Sequence, residues 1–296
     1  MKVFVTGASG FVGQAVTREL VRAGHRVVGL ARSEAAAEAV TAAGGTPHPG
    51  ELGELQRLRQ AASAADALVH CGFVHDFARF AESCELDRAV IATLGEAVLG
   101  SQRPLLITSA IGVLPSGTQV TEHTRAPATT RNPRVATEQA TAMLVERGVN
   151  AALVRLPPSV HGEGDHGFVP MLIQLAREKG ESAYVGEGTN RWPAVHRDDA
   201  AVLYRLALES AVAGACWHAV AEEGVPFREL AAAIGRRLEL PVVSKSTDEA
   251  AAHFTWFAHF AALDVPATSN GTREQLEWQP SRQGLLVDLD QAGYFR

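Results

Sequence analysis

Residues 2–33 constrain the fold more than any other stretch. "KVFVTGASGFVGQAVTRELVRAGHRVVGLARS" opens on a short apolar run of the kind that makes a buried parallel strand. Glycines follow at positions 7, 10 and 13. Then Phe11, Val12, Ala15, Val16, Leu20 and Val21 mark one helical face, and Gly24 stops it. "RVVGLA" reads as a second strand. Strand, glycine turn, helix and strand in this order commit the chain to a parallel sheet.

The same alternation continues. "ADALVHCG" (65–72), "RPLLITSA" (103–110) and "NAALVRLPPSV" (150–160) read as further strands with helical pattern before and between them. After about residue 156 the rhythm changes to a Pro/Gly/His-rich loop, an amphipathic helix and less regular sequence. The fold class expected is α/β: a Rossmann-type doubly wound parallel sheet with a smaller C-terminal substrate-binding lobe. Residues 1–155 plus about 191–215 are assigned to the dinucleotide-binding domain, and 156–190 with 216–296 to the smaller lobe.

In this setting the glycine turn predicts a dinucleotide site. Gly7, Ser9, Gly10, Phe11, Val12 and Gly13 bring backbone close to a pyrophosphate, and the helix start offers it unpaired N–H groups. About twenty residues on, a carboxylate would bond the 2′-hydroxyl of NAD, whereas an arginine accommodates the 2′-phosphate of NADP. The chain has Ala31, Arg32 and Ser33 there, which predicts NADP(H) as cofactor, although Glu34 stands close by.

A formal net charge of −6 argues against a nucleic-acid partner, which needs a basic face. The apolar stretches are too short for a membrane span. "MKVFVTGASG" enters a strand at once, so no signal peptide is expected. Cys71, Cys84 and Cys216 lie far apart, which fits buried thiols in a reducing, cytoplasmic setting. No metal is expected: "HGEGDH" is rich in ligand types, but a glycine loop gives them no fixed geometry.

Taken in order, these motifs resemble the short-chain dehydrogenase/reductase superfamily, in its extended branch similar to NAD-dependent epimerases and dehydratases. "TGASGFVG" is similar to that branch's T-G-x-x-G-x-x-G turn, and "GEL" (50–52) to its Gly-Asp-Leu near the adenine. "ALVHCGF" resembles its fourth strand and "LLITSA" its fifth. "VRLPPSVHG" resembles its R-P-x-x-V-Y-G segment, "PAVHRDDAA" its docking segment, and "EQLEWQP" its L-G-W-x-P. The resemblance implies that Leu52, Cys71, Gly72, Phe73, Thr108, Arg134, Pro157 and Val160 join the glycine turn, Arg32 and Ser33 around the cofactor. It is also compatible with a homodimer, since dimers are common among such proteins.

One family feature is missing. The branch pairs a catalytic tyrosine with a lysine four residues on, but Tyr184, Tyr204 and Tyr294 have no such lysine, and Lys2, Lys179 and Lys245 are the only lysines. Alignment on "ATEQA" puts Thr130 at the tyrosine position and Arg134 at the lysine position. The partnering serine falls at Ser109 or Ala110, the latter fitting slightly better. A guanidinium cannot shuttle protons, but it can bond ribose hydroxyls and place charge near an oxyanion. The catalytic candidates are therefore Ser109, Thr130, Arg134, His75 and His161, with Asp76, Asp165 and His166 in the same two loops.

The reading that follows is an NADPH-dependent reductase of a small, largely apolar carbonyl or imine compound, its partner a small-molecule substrate. A protonated imine accepts hydride without needing a proton at the same moment, so it suits a site without a phenol. Two other readings stand beside it: a non-catalytic NADP(H)-binding sensor or interaction protein, and a sugar-nucleotide epimerase or dehydratase.

Overall fold

Alternation in the first strand sets the two faces of the main sheet. In the computed structural model, which describes residues 1–127, 130, 132–291 and 293–295, β1 (Lys2–Thr6) sends Val3 and Val5 to one face and Phe4 to the other. The chain continues through α1 (Phe11–Arg22), β2 (Arg26–Ala31), α2 (Glu34–Ala42), β3 (Thr46–Pro49), α3 (Leu55–Ser63) and β4 (Ala67–His70). Then come α4 (Phe80–Val98), β5 (Leu105–Ala110), α5 (Ala136–Glu146) and β6 (Ala151–Leu156). The later elements are β7 (Ser159–His161), α6 (Phe168–Lys179), β8 (Ser182–Val185), β9 (Arg191–His196), α7 (Arg197–Ser210) and β10 (Cys216–His218). Last are β11 (Glu222–Pro226), α8 (Phe227–Leu238), β12 (Val242–Lys245), α9 (Thr247–Phe254), α10 (Ala258–Ala261), α11 (Asn270–Leu276) and α12 (Leu285–Gln291).

Seven strands pair in the order β10-β6-β5-β4-β1-β2-β3, every pair parallel. The order reverses between β1 and β4, so the ligand crevice of such a sheet opens above the carboxyl ends of those two strands. Val3, Val5, Val69 and Leu106 pack on α1, α7 and the Leu276–Trp278 segment. Phe4, Leu68, Leu105 and Ile107 pack on α3, α4 and α5. The doubly wound sheet is as the sequence predicts. β3, "TPHP", was not evident beforehand; its prolines are tolerated because it is the edge strand, with one pairing partner.

The smaller lobe is built on a β11-β9-β7 sheet and the β12-β8 pair, with a core of Trp192, Phe227, Phe254 and Phe257 among others. Two boundaries are corrected here. β10, expected in the smaller lobe, is the seventh strand of the main sheet, because Trp217 buries itself in that sheet's core. β9, expected with the dinucleotide domain, pairs with β7 and β11, although its Val195 and the following α7 pack on the main sheet. "NAALVRLPPSV" is likewise two strands, broken at Pro157–Pro158, where neither residue can donate to a ladder.

Candidate functional site

At the carboxyl end of β1, Gly7 has a φ of +69°, and a Cβ there would lie 2.6 Å from the Gly72 nitrogen. A Cβ on Gly13 would come within 2.0 Å of the Gly7 carbonyl oxygen. Both glycines are therefore required by close approach, of the turn to β4 and of α1 to the turn. Gly10 precedes α1 and no side chain caps that helix, so its first N–H groups stay open beside Ser9, Phe11 and Val12. Leu52 packs over Gly72, its Cδ2 standing 3.1 Å from where a Cβ would be. A cradle that bare backbone must line, with uncapped N–H groups facing it, fits a dinucleotide diphosphate.

On the far side of β2 lies a cavity of about 520 Å³ lined by Ala31, Arg32, Ser33, Pro47, Gly50 and Arg57 among others. Arg32 is exposed at its wall. The Ser33 hydroxyl accepts from the Ala36 N–H at 3.2 Å, so it caps α2. Glu34, Glu51 and Glu54 also line the cavity; Glu54 is tied to the Glu51 N–H at 3.0 Å and to Arg57 at 3.4 Å.

Above β4 and β5, Arg134 donates through Nη1 to Asp87 at 2.6 Å and through Nη2 to the Thr108 carbonyl at 3.1 Å. Its guanidinium lies 4.1 Å from the centre of the Phe73 ring. Asp87 is buried within α4, where His70 meets it at 3.0 Å and Thr137 donates to it at 2.5 Å. Burial opposes the charge on Asp87, but the His70 hydrogen bond, the Arg134 charge and the Thr137 hydrogen bond prevail and hold its carboxyl at about 2. Arg134 is thus a fixed cation at the carboxyl edge of the sheet. Asp87 and His70 escaped the sequence reading, although a signal exists: Asp87 lies on the helical stripe that carries Val90, Ile91 and Leu94, a place for an apolar residue.

The candidates around Arg134 divide. The Thr108 hydroxyl meets Tyr204 at 2.6 Å beneath the sheet. The Cys71 thiol lies in the same place, beside Thr108 and Tyr204, and burial pushes it up to about 12. Thr130 is half-buried, its hydroxyl accepting from the Asn132 N–H at 3.2 Å. Ser109 points to the opposite face from Thr108 and donates to Glu138 at 2.9 Å. Glu138 in turn takes both arms of the fully buried Arg155, at 2.7 and 2.8 Å. Ser109 therefore belongs to a buried support network, and the better-aligned Ala110 has no hydroxyl to replace it.

His75 is exposed near the guanidinium, its ring 5.1 Å from Phe73. Crowding by protein, then the charges of Arg134 and His166, lower its pKa from 6.5. His161 lies elsewhere: it is buried against Asp288 at 2.8 Å and against the His196 ring at 5.4 Å. Pro157 is buried where β6 gives way to β7, and Val160 packs on the main core. His166 and Arg197 both lie on the Phe11 ring, at 5.8 and 4.8 Å, so the "HGEGDH" loop rests on the start of α1.

Aromatic residues from the two lobes meet beside Phe73. Phe77 stacks on Trp256 at 4.5 Å and approaches Phe168 at 6.2 Å and Phe260 at 6.1 Å. Trp256 is nearly half exposed. None of the three tyrosines stands in for the family's phenol. Tyr204 is buried under Thr108, Tyr294 binds Asp165 at 3.0 Å, and Tyr184 lies beside Gly188.

A family model described as NAD dependent epimerase/dehydratase matches residues 3–220. An uncharacterized protein of Schizosaccharomyces pombe is 48% identical over 100% of both chains. The 2-alkyl-3-oxoalkanoate reductase of Stenotrophomonas maltophilia is 29% identical over 83% of this chain and 78% of its own. A dTDP-glucose 4,6-dehydratase of Streptomyces venezuelae, solved with NAD bound, superposes with a TM-score of 0.77 at 18% identity, over 98% and 96% of the two chains. The glycine cradle and the sheet order agree with these likenesses, and the chain belongs to the NAD-dependent epimerase/dehydratase family.

Proposed function

We propose that the protein is an NADPH-dependent reductase of a small, largely apolar carbonyl or imine compound. The observation that carries this reading is the Arg134 guanidinium, fixed between Asp87 and the Phe73 ring beside an aromatic wall, where the family has a lysine. Arg32 at the wall of the cavity beyond β2 supports the phosphorylated cofactor, and the oxoalkanoate reductase among the relatives supports a carbonyl substrate.

When bound, the cofactor supplies a hydride. The protein's own work is placement and charge. Gly7, Gly10 and Gly13 let backbone hold the diphosphate, and Arg134 has N–H groups left for a ribose hydroxyl or the substrate oxygen. Phe73, Phe77, Phe168 and Trp256 offer an apolar surface that excludes water and strengthens the Arg134 charge. His75 is the proton donor for a carbonyl substrate. An iminium substrate needs none at that step.

The test is NADPH consumption by the purified protein with ketones, aldehydes, cyclic imines and sugar nucleotides, beside R134A. Turnover of a carbonyl or imine that falls at least tenfold in R134A is the expected result. Tight NADPH binding with neither consumption nor any change in a sugar nucleotide would overturn it in favour of a sensor. Conversion of a sugar nucleotide alone, followed by chromatography of the sugar because that chemistry regenerates its dinucleotide, would overturn it in favour of epimerase or dehydratase work.

A further inference from the structure

Arg134 is held by a chain of hydrogen bonds that leads back to the glycine turn. The Gly72 N–H donates to Thr6 Oγ1 at 3.3 Å, and Thr6 Oγ1 meets His70 Nδ1 at 2.6 Å. His70 Nε2 meets Asp87 Oδ1 at 3.0 Å. The other carboxylate oxygen takes Arg134 Nη1 at 2.6 Å and the Thr137 hydroxyl at 2.5 Å. The side chains of His70 and Asp87 are 1% and 2% exposed, so water does not compete for these bonds.

Counting hydrogens fixes their direction. With the ring proton on Nε2, His70 donates to Asp87 and accepts the Thr6 hydroxyl hydrogen at Nδ1. Thr6 Oγ1 is then free to accept from Gly72. Every hydrogen is used once, and every bond points toward the Asp87 carboxylate.

The guanidinium end is equally specified. Nη1 contacts both Asp87 and Thr137, and Nη2 reaches the Thr108 carbonyl. That leaves Nε–H and one Nη2 hydrogen without a protein partner among the described residues. A lysine ammonium is a single point of charge. It cannot bond Asp87 and the Thr108 carbonyl at opposite ends of a planar fork and still present two donors.

We infer that Asp87, braced by His70 and Thr6, is the positioning residue that lets an arginine serve at position 134, aiming its two remaining N–H groups at the ribose hydroxyls of a bound dinucleotide and the substrate oxygen beside them. Asp87 touches neither ligand and acts through Arg134. The inference rests on the reading of the site as a dinucleotide-dependent reductase.

The experiment has two arms. In the ligand-free full-length protein, ¹⁵N NMR of the arginine side chains is compared between wild type and D87N, with the Arg134 signals identified by their loss in R134K. Wild type is expected to give resolved, slowly exchanging Nη signals for Arg134, which collapse in D87N. In the second arm NADPH affinity is measured for wild type, D87N, R134A and the double variant. D87N should weaken binding about tenfold in the wild-type background and not at all in the R134A background. If D87N does not fold, D87E takes its place; it keeps the charge, and its loss should likewise vanish in the R134A background.

Unchanged Arg134 signals in the variant, or losses that add in the double variant, would overturn the inference. Failure of the wild type to bind either nicotinamide dinucleotide would overturn the proposed function, and the ligand-free arm would still decide the role of Asp87.

Discussion

Ser109 donates its hydroxyl hydrogen to Glu138 at 2.9 Å, on the opposite face of β5 from the Thr108 side chain. Consecutive residues of a strand point to opposite faces, so a serine one position from the expected place serves the core instead of the crevice. Glu138 also neutralises Arg155, a guanidinium with no solvent contact, whose other partners are the Thr124 carbonyl at 3.0 Å and the His218 ring at 3.2 Å.

Glu138→Gln should therefore cost about 3–5 kcal/mol of stability, because it leaves a buried cation without its counter-charge. Denaturant unfolding measures this. A loss below about 1 kcal/mol would show that the pair is solvated in the folded protein.

Gly13→Ala should abolish dinucleotide binding. Its methyl would lie 2.0 Å from the Gly7 carbonyl oxygen, and relief requires α1 to move away from the turn. Titration with NADPH and NADH, beside a melting curve, checks this. Retained affinity for either would mean that the cradle is not the binding site.

Arg32→Asp should exchange the cofactor preference. An arginine at the end of β2 can pair with a 2′-phosphate, whereas a carboxylate repels it and bonds a 2′-hydroxyl. NADPH affinity should fall at least tenfold while NADH affinity holds or rises. The same ratio of affinities in wild type and variant would remove Arg32 from cofactor selection.

The rate of carbonyl reduction should fall as pH rises through the pKa of His75. A donor must be protonated, and crowding together with the Arg134 and His166 charges place this pKa below 6.5. The descending limb therefore lies on the acid side of neutrality. Removing the Arg134 charge moves it upward, and His75→Asn removes it. A profile that is flat from pH 5 to 7 in the wild type would rule His75 out.

Stability should also decline in acid because of His218. Burial, then the Arg155 charge, lower its pKa from 6.5 to about 4. The unfolded chain takes up this proton first, so stability is full above 6.5 and is lost as pH falls toward 4, at up to about 1.4 kcal/mol per pH unit. His218→Gln should flatten that slope in urea unfolding measured across the same range.

The sequence by itself determined the sheet and the turn. Gly7, Gly10 and Gly13 between an apolar strand and an amphipathic helix admit few other structures, because local sterics and periodicity act over a few residues. It also determined that no tyrosine is followed by a lysine four residues on. What holds Arg134 was decided only in three dimensions. Asp87 is 47 residues away in sequence, and His70 and Thr6 are farther still. Their roles depend on α4 being laid across β4 with a carboxylate turned inward. β10 joined the main sheet for a similar reason, since Trp217 finds its burial there and not in the nearer lobe. Hydrogen bonds and apolar burial between distant segments are settled by packing, and a pattern read along the chain does not contain them.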